Sequence, residues 1–278
     1  VLFRSDRCLL DRKGRRAGEK RGEHRGKHAR AGPGSVGVLH VAHCTATRHQ
    51  RPTMGLPIPD HPIMTPLRHA RHHDGTVLLR SPLLESNGFP HAFSTAIGPG
   101  STPFDLSRPG DSPLGTPRDT LEHAIRRFVE AVAPGATLAT PRQVHGVAVA
   151  SVDEAEACEA DVAWSDLPGR LVGVRTADCV PILIACPARN EVIAVHAGWR
   201  GLVANAPGLA VDHLRSRGSE PGGLVAAIGP AIGVDAFEIG EEVATEFIRA
   251  GLEATVERRV PRPHADLHQA ARARLVRS

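Results

Sequence analysis

Leu171-Val-Gly-Val-Arg-Thr-Ala-Asp-Cys179-Val-Pro-Ile-Leu-Ile-Ala-Cys186, followed after Pro187–Glu191 by Val192-Ile-Ala-Val-His196-Ala-Gly-Trp-Arg-Gly201, decides the fold of this chain. Leu171–Arg175, Val180–Cys186 and Val192–His196 are short apolar runs bounded by Pro, Gly or polar residues, the pattern of buried strands. The excursion between the last two is short, which favours neighbouring strands. Beyond His196 the chain turns at Gly198 and Gly201 into a helical stretch reaching Gly218, with a kink or late start expected at Pro207. This mixture reads as α/β.

Working outward, Leu224–Ile228 is a further strand, Ile239–Ala250 a helix with Asp235 and Glu238 near its start and Gly251 as its cap, and Asp266–Val276 a last helical piece. Upstream, Val144–Val152 is β-branched and partly alternating, which predicts a strand carrying His145. The clearest helix is Pro117–Val132, with Thr116 as N-cap and Pro117 in the first helical position. Leu121, Ala124, Ile125, Phe128, Val129 and Val132 give it one apolar face. Residues 94–116, rich in Gly, Pro and Ser, read as a long loop. Thr76–Arg80 is the first expected strand, and residues 54–75 read as a Pro- and His-rich linker. The expectation is one α/β domain over residues 76–278, a mixed sheet flanked by helices.

Charge sets residues 1–53 apart. They hold 13 Lys/Arg against 4 Asp/Glu, whereas the other 225 residues hold 21 against 26. The basic pI of about 9.1 therefore belongs to the tail, and the remainder is mildly acidic. A positive face for phosphate neutralisation is missing from the core, so nucleic acid is not an expected partner. With few large apolar side chains, residues 1–53 are expected to form a solvated basic tail or a non-native extension that stays out of the domain. No apolar run approaches the ~18–20 residues of a membrane span. The five cysteines are odd in number and form no CxxC, which argues for a reducing, cytoplasmic setting rather than a disulfide framework.

Three residues carry the chemistry. Taken singly, His145 is a hydrogen-bonded core histidine, Cys179 a small hydrophobe and His196 the end of a strand. Taken together they lie at strand ends, where open α/β sheets place their sites. A His/Cys/His set can hold one Zn²⁺ by three ligands and leave a fourth position for water. It can equally be a Cys179 nucleophile with two candidate bases. Gly198 and Gly201 beside Arg200 suggest backbone pressed close to a ligand, with a guanidinium ready for an anion such as phosphate.

Gln143-Val-His-Gly146, Thr176-Ala-Asp-Cys-Val-Pro181 and His196-Ala-Gly-Trp-Arg-Gly201, in this order, resemble the YfiH-like family, whose members are called laccase-domain proteins, polyphenol oxidases or purine nucleoside phosphorylases. Gly88-Phe-Pro-His-Ala-Phe-Ser-Thr95, Ile228-Gly-Pro-Ala-Ile232 and Phe237-Glu-Ile-Gly240 extend the resemblance over roughly residues 80–278. It implies a single-domain α+β sandwich like the catalytic domain of cytotoxic necrotizing factor. It also implies a zinc site from His145, Cys179 and His196, with copper as the alternative metal. The implied reactions are phosphorolysis of adenosine, inosine, guanosine or methylthioadenosine, with adenosine deamination beside it.

Within that frame Asp178 is the candidate proton carrier, Arg200 the candidate phosphate contact and Gln143 a further substrate contact. A copper polyphenol oxidase and a metal-free Cys/His hydrolase are the alternatives. A multicopper site takes repeated His-x-His pairs, and this chain has none. Two departures from the family stand out. Ala96 follows Phe-Ser-Thr95 where the family carries Arg, and the family runs on beyond the position of Ser278 into a strand with paired basic residues. The catalytic domain is therefore expected to be truncated at its C-terminus, and phosphorolysis to be more fragile than deamination. The expected partners are purine nucleosides and phosphate, with no nucleic acid and no membrane, on a monomer or small homo-oligomer.

Overall fold

A computed structural model describes residues 38–44, 65–101 and 103–278. Strands β1 (Val38–His43), β2 (Arg68–Arg71), β3 (Val77–Arg80), β4 (His91–Ser94), β5 (Thr137–Ala139) and β8 (Arg170–Thr176) form a six-stranded sheet in the order β2-β3-β4-β1-β8-β5. Strands β6 (Val149–Ser151), β7 (Val162–Ser165), β9 (Val180–Cys186), β10 (Glu191–Ala197) and β11 (Val225–Ile228) form a five-stranded sheet in the order β11-β9-β10-β7-β6. Both are mixed: β5–β8 and β6–β7 are parallel, and the other pairs antiparallel.

The two-residue period of a strand sorts the side chains into layers. In the five-stranded sheet Val180, Ile182, Ile184, Ile193 and Val195 pack beneath α4 (Ala206–Ser216), α5 (Glu241–Arg249) and α6 (Leu267–Arg277), against Leu214, Phe247 and Ala270. Their alternates Leu183, Ala185, Val192 and Ala194 face the other sheet and meet Ala42, Phe93, Val172 and Val174. On the far side, Leu39, Val41, Leu78 and Leu171 take up Phe128, Val129 and Val132 of α2 (Arg118–Val132). The result is a helix–sheet–sheet–helix sandwich, with a short helix α1 (Pro82–Ser86) between β3 and β4. Burying each large apolar side chain contributes roughly 1.5–3 kcal/mol, so all three interfaces are substantial.

Several expectations are corrected. Residues 1–53 do not all stand outside the domain: β1 pairs with both β4 and β8 in the middle of a sheet, and Leu39 and Val41 are fully buried. The strand was hidden because a short apolar run sits in an otherwise basic segment. Residues 1–37 and 45–53 of that expected tail, and residues 54–64 of the expected linker, lie outside the described residues. Arg68–Arg71, placed in the linker because Arg-His-Ala-Arg shows no apolar alternation, is an edge strand paired with β3. The one mixed sheet expected is divided into the six-stranded and five-stranded layers, with a separate two-stranded ribbon of Val256–Glu257 and His264–Ala265. Thr116 does not cap α2; its hydroxyl donates to Asp105 (2.8 Å), and Pro117 occupies the cap position. The stretch after His196 is two helices, α3 (Trp199–Val203) and α4, separated at Asn205 in the left-handed region (φ 65°).

His91 adds a pH dependence. Its Nε2 accepts the Ser81 N–H (2.7 Å), so Nδ1 carries the hydrogen donated to the Phe89 carbonyl (2.8 Å). A proton on Nε2 would face another N–H. Burial, which dominates, holds the imidazole down to about 4, and the same cause holds His40 down to about 3. The unfolded chain takes these protons near pH 6.5 and the folded one refuses them. Stability should therefore fall as pH drops below about 6.5, by about 1.4 kcal/mol per pH unit for each histidine, levelling off below the folded values. Urea unfolding of wild type and His91→Gln between pH 7 and pH 4 checks this; the variant should lose one histidine's worth of slope.

Candidate metal centre and its cleft

His196 enters first, because β10 fixes it. The antiparallel register sets His196 opposite Pro181 and Ala197 opposite Val180, so Cys179, one residue before β9, comes beside Gly198. Gly198 has an ordinary backbone (φ −72°), so its lack of a side chain matters through contact alone. A Cβ there would lie 2.9 Å from Cys179 Sγ and 3.1 Å from His145 Cδ2. Gly198→Ala should thus displace the cluster, lowering metal affinity and turnover while the metal-free protein loses no more than about 1 kcal/mol. Chelator competition and urea unfolding measure the two separately.

His145 does not sit in a strand, as expected, but in a turn before β6, at φ 61°. A side chain in the left-handed region costs roughly 1–2 kcal/mol, and Asp161 supplies the compensation. The Asp161 carboxylate accepts three consecutive backbone N–H groups, from Val144 (3.2 Å), His145 (2.9 Å) and Gly146 (2.6 Å). It also accepts His196 Nδ1–H at 2.7 Å. One fully buried carboxylate therefore shapes the turn that carries one histidine and orients the ring of the other.

His145, Cys179 and His196 converge with ligand atoms all within 4.8 Å of one another. The two rings meet edge to face, centroids 4.9 Å apart. His145 is exposed, Cys179 half-buried and His196 buried, so the cluster opens to solvent on one side. Burial alone would push the Cys179 thiol up; hydrogen bonds and charge from His145 and His196 outweigh it and bring it down to about 7. Burial likewise opposes a proton on His196, but Asp161 and Cys179 raise the imidazole to about 9. Asp161 is held below the usual carboxylate range, burial being outweighed by His196 and by the backbone N–H donors. The donor set fits a borderline-soft divalent metal: one thiolate, two imidazoles, and His196 Nδ1 engaged by a carboxylate so that Nε2 is the ligating atom. Among the described residues no other group of three His, Cys, Asp or Glu could hold a metal.

The cluster lies in an open cleft of about 1770 Å³ that also takes in Asp178, Arg200, Gln143, Arg175, Arg108 and Trp199. Asp178 is half-buried on its wall. Arg200 is exposed, its guanidinium 4.3 Å above the Trp199 ring. Gln143, expected as a substrate contact, lines the cleft and is also held by the backbone of Arg175. Its Nε2 donates to the Arg175 carbonyl (2.6 Å) and its Oε1 accepts the Arg175 N–H (2.8 Å), so the amide ties the His145 turn to β8. Two residues escaped the reading of the sequence. Asp161 was legible only as a lone carboxylate before the apolar Val162-Ala163, where burial demands a partner. Arg175 was legible as a lone cation at the end of an apolar strand.

Residues 91–278 match the family described as multi-copper polyphenol oxidoreductase laccase. A purine nucleoside phosphorylase of Deinococcus radiodurans is 36% identical over 201 residues, which cover 72% of this chain and 78% of that protein. Adenosine deaminase RL5, from an unknown prokaryotic organism, is 37% identical over 154 residues, half of this chain and 59% of the relative. The crystal structure of YlmD from Geobacillus stearothermophilus superposes with a TM-score of 0.64 at 25% identity, over 76% of this chain and 84% of that one.

Proposed function

The chain belongs to the laccase-like polyphenol oxidoreductase family, which includes the YfiH-like proteins, and we propose that it is a zinc-dependent purine nucleoside phosphorylase that also deaminates adenosine. The observation that carries this reading is the convergence of His145, Cys179 and His196, with Asp161 behind them, in a cleft that also holds arginines. Phosphorylase and deaminase are the activities named for the relatives. The substrates proposed are adenosine, inosine, guanosine and methylthioadenosine.

His145 Nδ1 or Nε2, Cys179 Sγ and His196 Nε2 would hold the zinc, which when bound supplies a water acidic near neutral pH. Asp161 holds His196 Nδ1–H and keeps that ring in one tautomer. In deamination, water adds at C6 of adenine and ammonia leaves; Asp178, on the cleft wall, carries the proton between them. In phosphorolysis a phosphate oxygen attacks C1′ of the ribose, the C1′–N9 bond breaks, and the purine takes its electron pair and a proton. Cations along the cleft hold the phosphate for that attack.

A metal-free hydrolase built on Cys179 would need one imidazole as base and leaves the second without a task. Several coppers would need several ligand groups, and the described residues offer one. The test is a panel of purine nucleosides with and without phosphate, with metal content measured on the same preparation. Free purine and ribose 1-phosphate should form only with phosphate, and inosine should form from adenosine without it, in a protein holding one zinc. No turnover of any nucleoside, or turnover of a metal-free preparation, would overturn the reading.

A further inference from the structure

The cations lining the cleft are not alike. Arg142 pairs with Glu159 (3.5 Å), Arg262 pairs with Glu238 (3.3 Å), and Arg200 lies exposed over Trp199. Arg175 and Arg108 differ from these in being partly buried while, among the described residues, neither forms an ion pair with any carboxylate. Both reach the same residue. Arg175 Nη1 donates to Thr140 Oγ1 (2.6 Å), and Arg108 Nη2 donates to the Thr140 carbonyl (3.2 Å). Arg175 Nε is fixed by the Leu106 carbonyl (2.9 Å), which leaves its Nη2 without a hydrogen-bond partner among the described residues.

Two guanidiniums anchored to one threonine repel each other, and Arg175 is half-buried. Burial first, then the charge of Arg108, lowers Arg175 to about 10. Glu156 and Asp111 oppose that lowering, but neither closes an ion pair with Arg175, and a pair held for stability alone would be expected to have one. The holding structure is also built. Asp105, buried, accepts the Ser107 N–H (2.9 Å) and the hydroxyls of Ser112 (2.6 Å) and Thr116 (2.8 Å), which fixes the loop that carries Arg108. Gln143 clamps the Arg175 backbone to the His145 turn, so the pair and the metal ligands are set in one frame.

We infer that Arg175 and Arg108 form a subsite for a phosphate dianion, the free edge of Arg175 binding two of its oxygens and Arg108 neutralising the rest. A planar fork facing an anion is the geometry that arginine serves and lysine does not. The inference rests on the phosphorylase reading for its ligand, inorganic phosphate. The 5′-phosphate of a nucleotide has the same chemistry, and the test separates the two. It also shifts the phosphate from Arg200, which is exposed and already stacked on an indole.

The test is calorimetric titration of the purified full chain with inorganic phosphate and, separately, with adenosine 5′-monophosphate, followed by phosphate-dependent kinetics. Arg108→Met and Arg175→Met should each weaken phosphate binding by roughly tenfold or more and raise the phosphate KM of phosphorolysis by a similar factor, a loss larger than any in phosphate-independent deamination. Arg175→Lys serves if Arg175→Met does not fold; it keeps the charge, loses the fork, and should still weaken binding. Arg118→Met, which removes an exposed charge on α2, controls for net charge. Loss confined to the nucleotide arm would assign the subsite to a nucleotide's phosphate. Phosphate binding that depends on both arginines in a protein without phosphorolysis would keep the subsite and sink the phosphorylase reading. Wild-type phosphate affinity in Arg108→Met and Arg175→Lys, or no binding of either ligand to wild type, would overturn the inference.

Discussion

Replacing Cys179 by Ala should remove bound zinc and nucleoside turnover together, whereas Cys186→Ala should change only packing. Cys179 is the thiol beside both imidazoles, and its proton is the one their hydrogen bonds make easy to lose. Cys186 ends the same strand, β9, paired with Glu191 at the opposite end from the His196 register position. The structure keeps Cys186 out of the ligand set, because the length of β9 lies between it and Cys179. With free zinc ~1,000-fold above Kd, binding stabilises a fold by about 4 kcal/mol. Wild type should show that increment on zinc addition and Cys179→Ala should not, while Cys186→Ala keeps the increment and loses roughly 1–2 kcal/mol of basal stability. Metal analysis and melting curves at several zinc concentrations decide it. A Cys179→Ala protein that still binds one zinc and turns over adenosine would rule out the ligand set.

The second large effect belongs to Asp161. Asp161→Ala would leave three part-buried backbone N–H groups and the buried His196 ring hydrogen without their acceptor. Breaking a buried charged network of this kind costs about 3–5 kcal/mol. With the His145 turn released and His196 free to rotate, zinc affinity should fall by a further ~10–100-fold. Asp161→Asn keeps the volume but has one accepting oxygen in place of two and no charge, so it should fall between the two. Urea unfolding gives the stability and chelator competition gives the affinity. If Asp161→Asn binds zinc and turns over nucleosides like wild type, the carboxylate is not what positions the ligands.

Why Cys179 could be read from the sequence and Asp161 could not is a matter of pattern. The run Val180–Cys186 is apolar at every position because β9 is covered on both sides, and its bounds in the structure are those expected. Cys179 and His196 inherit that clarity as the polar ends of two such runs. Asp161 stands before a four-residue strand whose burial comes from β6 and β10 on either side, which no local pattern records. His145 was recognised as a residue but misplaced in a strand, since Val144-His-Gly-Val alternates passably and nothing local reports the left-handed turn. β1 shows the same limit: its partners β4 and β8 lie some 50 and 130 residues away, as in the pairing of His40 with Phe93 and with Val174. Arg175 carries no periodic signal at all, because what singles it out is a half-buried guanidinium with no ion pair among the described residues.

Between Arg175 and Cys179 the chain crosses from one sheet to the other. The guanidinium is anchored in the six-stranded layer, and His196 in the five-stranded one. What separates them is the filling between the sheets, Val172 and Val174 on one side, Leu183 and Ala194 on the other. That filling is a spacer with a definite gauge. A methylene added or removed there, remote from solvent and touching no ligand, would alter the reach between an anchored anion and a nucleoside seated at the metal ligands. Interiors this closely packed transmit such changes rather than absorb them. Relatives that differ in reaction preference would then be sought not only in the residues of the cleft but in the thickness of the sandwich.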